Sequence, residues 1–254
     1  MTIYLATIFF ILGITMGSFY NVVGYRLPKG ESLMFPPSHC TNCNHRLTPL
    51  ELVPVFSYVF LGGKCKHCKQ KISPFYPIFE LCSGILFMVS YLIFGLTLEC
   101  LLSITFISMI LIIIISDYQS MIINDSVLIT FSILLIIELY FIKGINGVGI
   151  SIFNGIISFV VMLLIKLLGD FIFKKESMGG GDIKLMLIFG FVLGYKMALF
   201  SIVFGAIIGL PISILVLYIK KNRVVPFGPF LTMAALNIYL LGITYESFIN
   251  LLIK

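Results

Sequence analysis

Two pairs of cysteines, each with two residues between its members, form the clearest chemical pattern in the sequence. Cys40 and Cys43 make one pair and Cys65 and Cys68 the other, within a polar stretch at 23–73. This spacing lets a tight turn place both sulfurs of a pair on one metal ion, and the intervening chain returns the second pair. We therefore predict a structural Zn²⁺ held by four thiolates. A redox-active dithiol and reduced, unliganded cysteines are the alternatives.

Three histidines, His39, His45 and His67, stand beside these cysteines. Because four thiolates already complete a tetrahedral site, we expect the histidines to be solvated loop residues and not ligands. Cys82 and Cys100 lie in or at the end of apolar segments. A cysteine behaves there as a small apolar side chain, so we assign these two no chemistry.

Acidic residues in apolar surroundings form the second pattern, because an acid at membrane depth is costly and usually faces a polar cavity. Asp182 follows Gly179, Gly180 and Gly181 and opens an apolar segment. Glycines without side chains would let another extended backbone approach the carboxylate closely. A helix cap formed by Asp182 after a flexible turn is an equally good interpretation of this local pattern.

Asp117, at the end of another apolar segment, is the second candidate. If Asp117 and Asp182 meet at one membrane face, the two carboxylates share a proton, so that one acts as general base on a water molecule and the other as general acid. This is the chemistry of an aspartyl protease. Asp125 heads the next apolar segment, where we expect it to cap a helix. Glu138, in the middle of that segment, is expected to pair with a polar neighbour.

The elements that carry these residues are predicted to lie in a lipid bilayer. Of the 254 residues, 59% are hydrophobic and 11% are charged, whereas soluble domains have about 25% charged residues. This composition excludes soluble enzymes, disordered chains and secreted disulfide scaffolds. The net charge of +6 is expected to fix orientation and to contact anionic lipids, so no nucleic-acid partner is predicted. The composition indicates no number of subunits.

The apolar runs predict an all-α polytopic membrane protein with about eight transmembrane helices. The predicted spans are 2–22, 75–95, 99–117, 125–142, 148–168, 183–195, 197–219 and 230–252. With the N-terminus outside, fourteen of the 17 basic residues lie on the cytoplasmic side, as the positive-inside rule expects. The cysteine loop follows the first helix on that side. We divide the chain into an anchor helix with its loop, 1–73, and a helical bundle, 74–254, that carries Asp117 and Asp182.

Short motifs run in order along almost the whole chain. They are Gly17-Ser18-Phe19-Tyr20-Asn21-Val22-Val23, Tyr25-Arg26-Leu27-Pro28, the paired cysteines with Leu52-Val53-Pro54-Val55-Phe56-Ser57-Tyr58 between them, Tyr76-Pro77-Ile78-Phe79-Glu80, Gly180-Gly181-Asp182 and Pro226-Phe227-Gly228-Pro229-Phe230. Taken together, they resemble the type IV prepilin peptidases, which are membrane aspartic proteases of the G-x-G-D class.

The resemblance implies that Asp117 and Asp182 are the catalytic acids and that Gly179, Gly180 and Gly181 accommodate the scissile segment of the substrate. It implies cleavage of prepilin or pseudopilin precursors after the glycine that joins a short basic leader to an apolar helix, at the cytoplasmic face of a bacterial inner membrane. Many members of the family also methylate the new N-terminal amine with S-adenosyl-L-methionine, an activity associated with the N-terminal cytoplasmic region. If this chain has that activity, S-adenosyl-L-methionine is expected as a cofactor in addition to Zn²⁺.

Two functions from other classes remain open at this point. A multi-span transporter or ion-coupled carrier would also use intramembrane acids and glycine breaks. A non-catalytic docking protein would use the cysteine loop as a partner site and would not need either aspartate.

Overall fold

Helices make up most of the described chain. The computed structural model describes residues 1–219 and 225–247. Its helices are α1 (Thr2–Arg26), α2 (Phe56–Phe60), α3 (Phe75–Phe94), α4 (Leu98–Ser120), α5 (Asp125–Phe173), α6 (Gly180–Leu193), α7 (Tyr195–Ile219) and α8 (Gly228–Leu240). The predicted all-α class is thus confirmed for the described residues. The chain forms two compact units, Met1–Cys100 and Leu101–Lys254, and the division at residue 73 stays a prediction.

Five of the described helices are long and apolar enough to cross a membrane, namely α1, α3, α4, α5 and α7. The protein is therefore a multi-span membrane protein. Helices α6 and α8 have 14 and 13 residues, fewer than the roughly 20 of an apolar span. The end of the last predicted span, from residue 248, lies outside the described residues.

Helix α5 contains two of the predicted spans in one element of 49 residues. At about 1.5 Å per residue, 49 residues in one straight helix would be about 74 Å long, more than twice the roughly 30 Å of a bilayer's hydrocarbon core. Gly144 interrupts the helix with φ 67° and ψ −178°, a conformation that is essentially restricted to glycine. This break falls between the predicted spans 125–142 and 148–168.

In the first unit, α1 and α3 pack antiparallel through small residues. A Cβ atom added to Gly13 would stand 2.6 Å from the carbonyl oxygen of Ser83 and 2.7 Å from Cα of Gly84, and one added to Gly17 would stand 2.8 Å from Cα of Glu80. Backbones approach this closely only where side chains are missing, which is a common way for membrane helices to associate. The glycines therefore determine the spacing of this helix pair.

In the second unit, α4 forms the centre of the core. The side chains of Phe106, Ile107 and Met109 are fully buried. Phe106 makes edge-to-face contacts with Phe189 of α6 and with Tyr239 of α8, at centroid distances of 5.9 and 5.5 Å. Aromatic pairs favour this geometry. The core therefore holds α6 and α8 against the helix that ends near Asp117.

Close glycine contacts also fix α6 and α8 to their longer neighbours. A Cβ atom on Gly190 of α6 would lie 2.5 Å from Cα of Gly155 in α5, and one on Gly205 of α7 would lie 3.1 Å from Cα of Leu231 in α8. Two helices too short to be ordinary spans are thus each packed closely against a long one.

The α1–α3 contact gives a stability prediction. Gly13→Leu places a side chain against backbone atoms of Ser83 and Gly84 that cannot move aside, so we expect it to lower the free energy of unfolding by about 1–3 kcal/mol. Thermal unfolding of the purified protein in detergent measures the loss. Gly149→Leu is the control, because a Cβ atom at that position meets nothing within 4 Å. Equal stability of the two variants would contradict this packing.

Candidate active site and cysteine cluster

Asp117 lies close to the end of α4, three residues before Ser120. The helix ends as Met121 adopts a left-handed conformation with φ 54°, and the Met121 N–H donates to the carbonyl of Asp117 at 2.9 Å. The hydroxyl of Ser116 donates to the carbonyl of Ile122, which ties the following turn to the helix end. The side chain of Asp117 is buried there.

Asp182 is the third residue of α6, and its side chain is also buried. The residue that precedes the first turn is Gly179, which has extended angles of φ −67° and ψ 143° and makes no side-chain capping bond. The alternative interpretation of Asp182 as the helix cap is therefore wrong. Its carboxylate lies inside the first turn and faces another part of the unit.

The three glycines before Asp182 have three different surroundings. A Cβ atom on Gly181 would stand 2.8 Å from Cβ of Ile123, so the missing side chain lets α6 begin directly against the turn after α4. A Cβ atom on Gly179 would approach Oδ2 of Asp182 at 3.8 Å, and one on Gly180 would meet nothing within 4 Å. Gly180 therefore faces open space beside the acid, whereas Gly181 serves packing.

The two acids meet at the first residue of α8. A Cβ atom added to Gly228 would overlap Oδ2 of Asp117 and would lie 3.4 Å from Oδ1 of Asp182. Both carboxylates therefore face the same small volume, next to a backbone with no side chain. In the sequence, Gly228 stands out only as part of the motif Pro226-Phe227-Gly228-Pro229-Phe230, as a glycine with a proline on either side.

An ion pair holds the start of α6 against the start of α5. Nζ of Lys184 donates to both carboxylate oxygens of Asp125, at 2.6 and 2.8 Å. Asn124, and not Asp125, caps α5, because its Oδ1 accepts the N–H of Ser126 at 2.9 Å. The predicted capping role of Asp125 is therefore wrong, and its carboxylate instead binds a lysine two residues beyond Asp182.

The segment before the three glycines is held by Asp170, near the end of α5. Oδ1 of Asp170 accepts hydrogen bonds from the N–H and the hydroxyl of Ser177, at 2.6 and 2.8 Å. Nζ of Lys166 lies 3.7 Å from Oδ2 of the same aspartate. Contacts on both sides of the glycine segment therefore limit the positions that Asp182 can take.

Two carboxylates in one enclosed volume cannot both ionise without strong repulsion, so such a pair holds one proton between them. The ionised member can take a proton from a water molecule, and the protonated member can donate one to a neighbouring oxygen or nitrogen. This arrangement is suited to adding water to an amide bond.

The four paired cysteines come together in the loop of the first unit. Their Sγ atoms all lie within 4.8 Å of one another, with Cys40 and Cys68 at 3.7 Å and Cys43 and Cys65 at 4.0 Å. Sulfurs at about 2.3 Å from one tetrahedral metal ion are roughly 3.8 Å apart. The cluster therefore has the dimensions of a four-thiolate metal site.

The two cysteine pairs are held by equivalent turns. The N–H of Cys40 donates to His45 and that of Cys65 donates to Gln70, both at 2.9 Å. Two residues, Asn44 and Lys69, take left-handed conformations at the same place in each turn. Each turn is the tight knuckle that two cysteines need to share a metal ion.

The electrostatics of the cluster favour a bound cation. The backbone N–H of Gln70, followed by the amide of Asn42, lowers the pKa of Cys68 to about 6. For Cys43, the N–H of His45 stabilises the thiolate, but desolvation and the neighbouring sulfurs outweigh it and raise the pKa to about 11. Four thiols this close cannot all ionise unless a positive ion neutralises them, so these residues fit a metal ion.

The histidines near the cluster take part in other contacts. The rings of His45 and His67 stack at a centroid distance of 5.4 Å, and Nε2 of His45 lies 3.5 Å from a carboxylate oxygen of Glu51. The N–H and hydroxyl of Thr48 lower the pKa of Glu51 below its usual range. Nδ1 of His39 lies 2.9 Å from the carbonyl of Pro37.

Glu138, Cys82 and Cys100 lie away from both the aspartates and the cysteine cluster. Glu138 accepts a hydrogen bond from the hydroxyl of Thr105 at 2.7 Å, which confirms that it pairs with a polar neighbour. Among the described residues, Cys82 and Cys100 are not part of the group of cysteines that could hold a metal ion.

The first unit also contains a cavity of about 640 Å³ between α1, α3 and the loop. Its lining includes Asn21, Arg26, Tyr76 and Glu80. Oδ1 of Asn21 is buried without a hydrogen-bond partner, and Oε2 of Glu80 accepts the N–H of Val55 at 2.7 Å. The cavity has the size and polarity of a small-molecule site.

Comparison with known proteins assigns both units. Residues 11–94 match the family model described as the bacterial peptidase A24 N-terminal domain, and residues 104–214 match the type IV leader peptidase family. No solved structure matches the chain significantly.

Full-length relatives cover nearly the entire sequence. The prepilin leader peptidase/N-methyltransferase of Bacillus subtilis (strain 168) is 34% identical over 95% of this chain and 96% of its own length. The protein of the same name from Pseudomonas putida is 29% identical over 91% of this chain and 88% of its own. The matches cover the cysteine loop and both aspartates, and the chain belongs to the type IV leader peptidase family.

Proposed function

We propose that the protein is a membrane aspartic endopeptidase that removes the basic leader from type IV prepilin or prepilin-like precursors by cutting after a glycine. The observation that carries this proposal is the convergence of the Asp117 and Asp182 carboxylates at Gly228. The names of the relatives supply the substrate class, since they are prepilin leader peptidases. This function replaces the transporter and docking alternatives.

Asp117 and Asp182 divide the acid and base roles. The ionised carboxylate accepts a proton from a water molecule as its oxygen attacks the scissile carbonyl carbon. The protonated carboxylate donates its proton to the carbonyl oxygen, and a later transfer to the nitrogen releases the new amine. Because both side chains are buried, bulk water has little access to them, and the nucleophile is a water molecule that the two carboxylates would bind.

The glycine segment binds the extended scissile segment of the precursor. A Cβ atom added to Gly180 would have no neighbour within 4 Å, so a substrate backbone can lie beside this residue and reach the carboxylate of Asp182. A glycine in the substrate, just before the cut, allows the same close approach from the other side. The leader remains in the cytoplasm while the apolar helix of the precursor lies in the membrane.

The topology we propose has eight crossings, with the N-terminus outside and the acids and cysteine loop at the cytoplasmic face of the bacterial inner membrane. Helix α5 crosses twice through its break at Gly144. Helices α6 and α8 are short crossings supported by α5 and α7. This arrangement places the described basic residues as the positive-inside rule expects, with Lys143 and Lys196 outside.

We assign two cofactors to the first unit. Cys40, Cys43, Cys65 and Cys68 would hold Zn²⁺, because four thiolates are a ligand set that suits this ion, and the bound ion would stabilise the loop. S-adenosyl-L-methionine, which supplies an electrophilic methyl group when bound, would be held in the cavity beside Asn21. The relatives' names include an N-methyltransferase, which supports methylation of the new N-terminal amine as a second activity.

The dyad gives the first functional prediction. Co-expression with a prepilin carrying a Lys-Gly-Phe junction should give cleavage after glycine, whereas Asp117→Asn and Asp182→Asn should each lower kcat by about 10³-fold or more. Mass spectrometry of the pilin N-terminus measures the product. Glu99→Gln, in the first turn of the helix that carries Asp117, is the control and should retain activity. Cleavage by both Asn variants at the wild-type rate would overturn the proposal.

Gly228 gives a second prediction. A methyl group there would displace the Asp117 carboxylate, so we expect Gly228→Ala to lower kcat by about 10²-fold with little change in KM, since the precursor still binds. Gly149→Ala, which adds a methyl group in open space, should have no effect. Wild-type turnover by Gly228→Ala would mean that the acids do not meet there.

The metal assignment is tested by elemental analysis. The purified protein should hold about one Zn²⁺ per chain, and Cys40→Ser and Cys65→Ser should lose it. Cys82→Ser is the matched control, because this cysteine lies on α3 outside the cluster. Retention of zinc by the cluster variants would refute the assignment.

The double crossing of α5 is tested with alkaline phosphatase, which is active only outside the cytoplasm. Fusions after Ile122 and after Lys175, on either side of α5, should both be inactive, and a fusion after Gly144 should be active. If α5 crosses only once, the fusions after Ile122 and Lys175 will give opposite results.

A further inference from the structure

The short helix α2 in the loop of the first unit presents an apolar face to its surroundings. The side chains of Phe56, Val59 and Phe60 are 54, 67 and 85% exposed. Residues at this spacing share one face of a helix. The opposite face is fixed to the loop, because Tyr58 is half-buried and its hydroxyl donates to the carbonyl of Ile72 at 3.4 Å. The apolar face is therefore held outward.

Three apolar residues shortly before α2 in the chain, Leu50, Leu52 and Val53, are exposed as well. Large apolar side chains exposed together in this way mark an interaction site, because loops outside the membrane are normally polar. We define the apolar loop face as the exposed residues Leu50, Leu52, Val53, Phe56, Val59 and Phe60.

The exposed charge of the same loop is strongly positive. The loop has two acids. The carboxylate of Glu51 accepts two hydrogen bonds from Thr48, and this side chain is only 5% exposed. The other acid, Glu31, is exposed. The exposed cations are Lys29, Arg46, Lys64, Lys66, Lys69 and Lys71. An exposed apolar face in a loop that carries several exposed lysines is complementary to a bilayer surface that contains anionic lipids.

The loop is also attached to the membrane at both ends. It leaves α1 and enters α3, two antiparallel helices that are each long and apolar enough to cross a bilayer. Both ends of the loop therefore start at the same membrane surface.

From these observations we propose that the apolar loop face lies in the interfacial layer of the bilayer, while the lysines bind anionic lipid headgroups. Side chains of this kind enter the headgroup and acyl boundary by about 5–10 Å. The cysteine cluster is then held at the membrane surface, at the depth where the leader of a membrane-embedded precursor emerges. The proposal does not depend on the peptidase mechanism.

The absence of tryptophan from the sequence allows a direct test. Phe60→Trp introduces a single tryptophan in the full-length protein, which is then reconstituted in vesicles of phosphatidylcholine and phosphatidylglycerol. Brominated acyl chains quench tryptophan only on contact. Leu12→Trp, on the exposed side of α1, is the membrane-embedded reference. Thr41→Trp, at an exposed and uncharged polar position of the loop, is the control.

We expect Phe60→Trp to be quenched at least about half as strongly as Leu12→Trp and to emit at shorter wavelength than Thr41→Trp. Quenching of Phe60→Trp no greater than that of Thr41→Trp would overturn the proposal. Short-wavelength emission without quenching would also overturn it, because a protein surface and not lipid would then cover the face.

The lysines are tested in the same system. Replacing Lys64, Lys66, Lys69 and Lys71 with glutamine in the Phe60→Trp protein should reduce quenching in anionic vesicles. Quenching that is unchanged by these substitutions would refute the role of anionic headgroups. Because no step requires a precursor, failure here is distinct from failure of the peptidase proposal.

Discussion

Two carboxylates can remain side by side in a low-dielectric bundle only if they share a proton, since full ionisation of both would be strongly unfavourable. Asp117 and Asp182 are brought into this situation by a third element, the start of α8 at Gly228. The other helices of the second unit hold these residues in place. Helix α4 forms the core, while α5 and α7 hold α6 and α8 by close glycine packing.

The same unit limits how far the acids can move. Gly181 allows α6 to begin directly against Ile123, and the ion pair of Lys184 with Asp125 holds that helix against α5. An exposed ion pair adds little stability in itself. Its value here is positional, because it lies two residues from Asp182.

The type of element and the chemistry of the site could be predicted from the sequence, but the contacts that assemble the site could not. The cysteine spacing predicted the cluster because both pairs are local turns. By contrast, Asp125 follows Asn124 and precedes Ser126, three residues that all suit a helix cap. Its actual partner, Lys184, lies 59 residues away. Gly228 likewise has no local pattern that reveals which carboxylates it faces.

The pH dependence of kcat/KM for cleavage of a prepilin in membranes tests the shared proton most directly. The account predicts a bell-shaped profile. At low pH both Asp117 and Asp182 are protonated and neither can accept a proton from water, whereas at high pH both are ionised and neither can donate one. A profile with no decline on one side, under conditions where the protein stays folded, would contradict a two-aspartate mechanism.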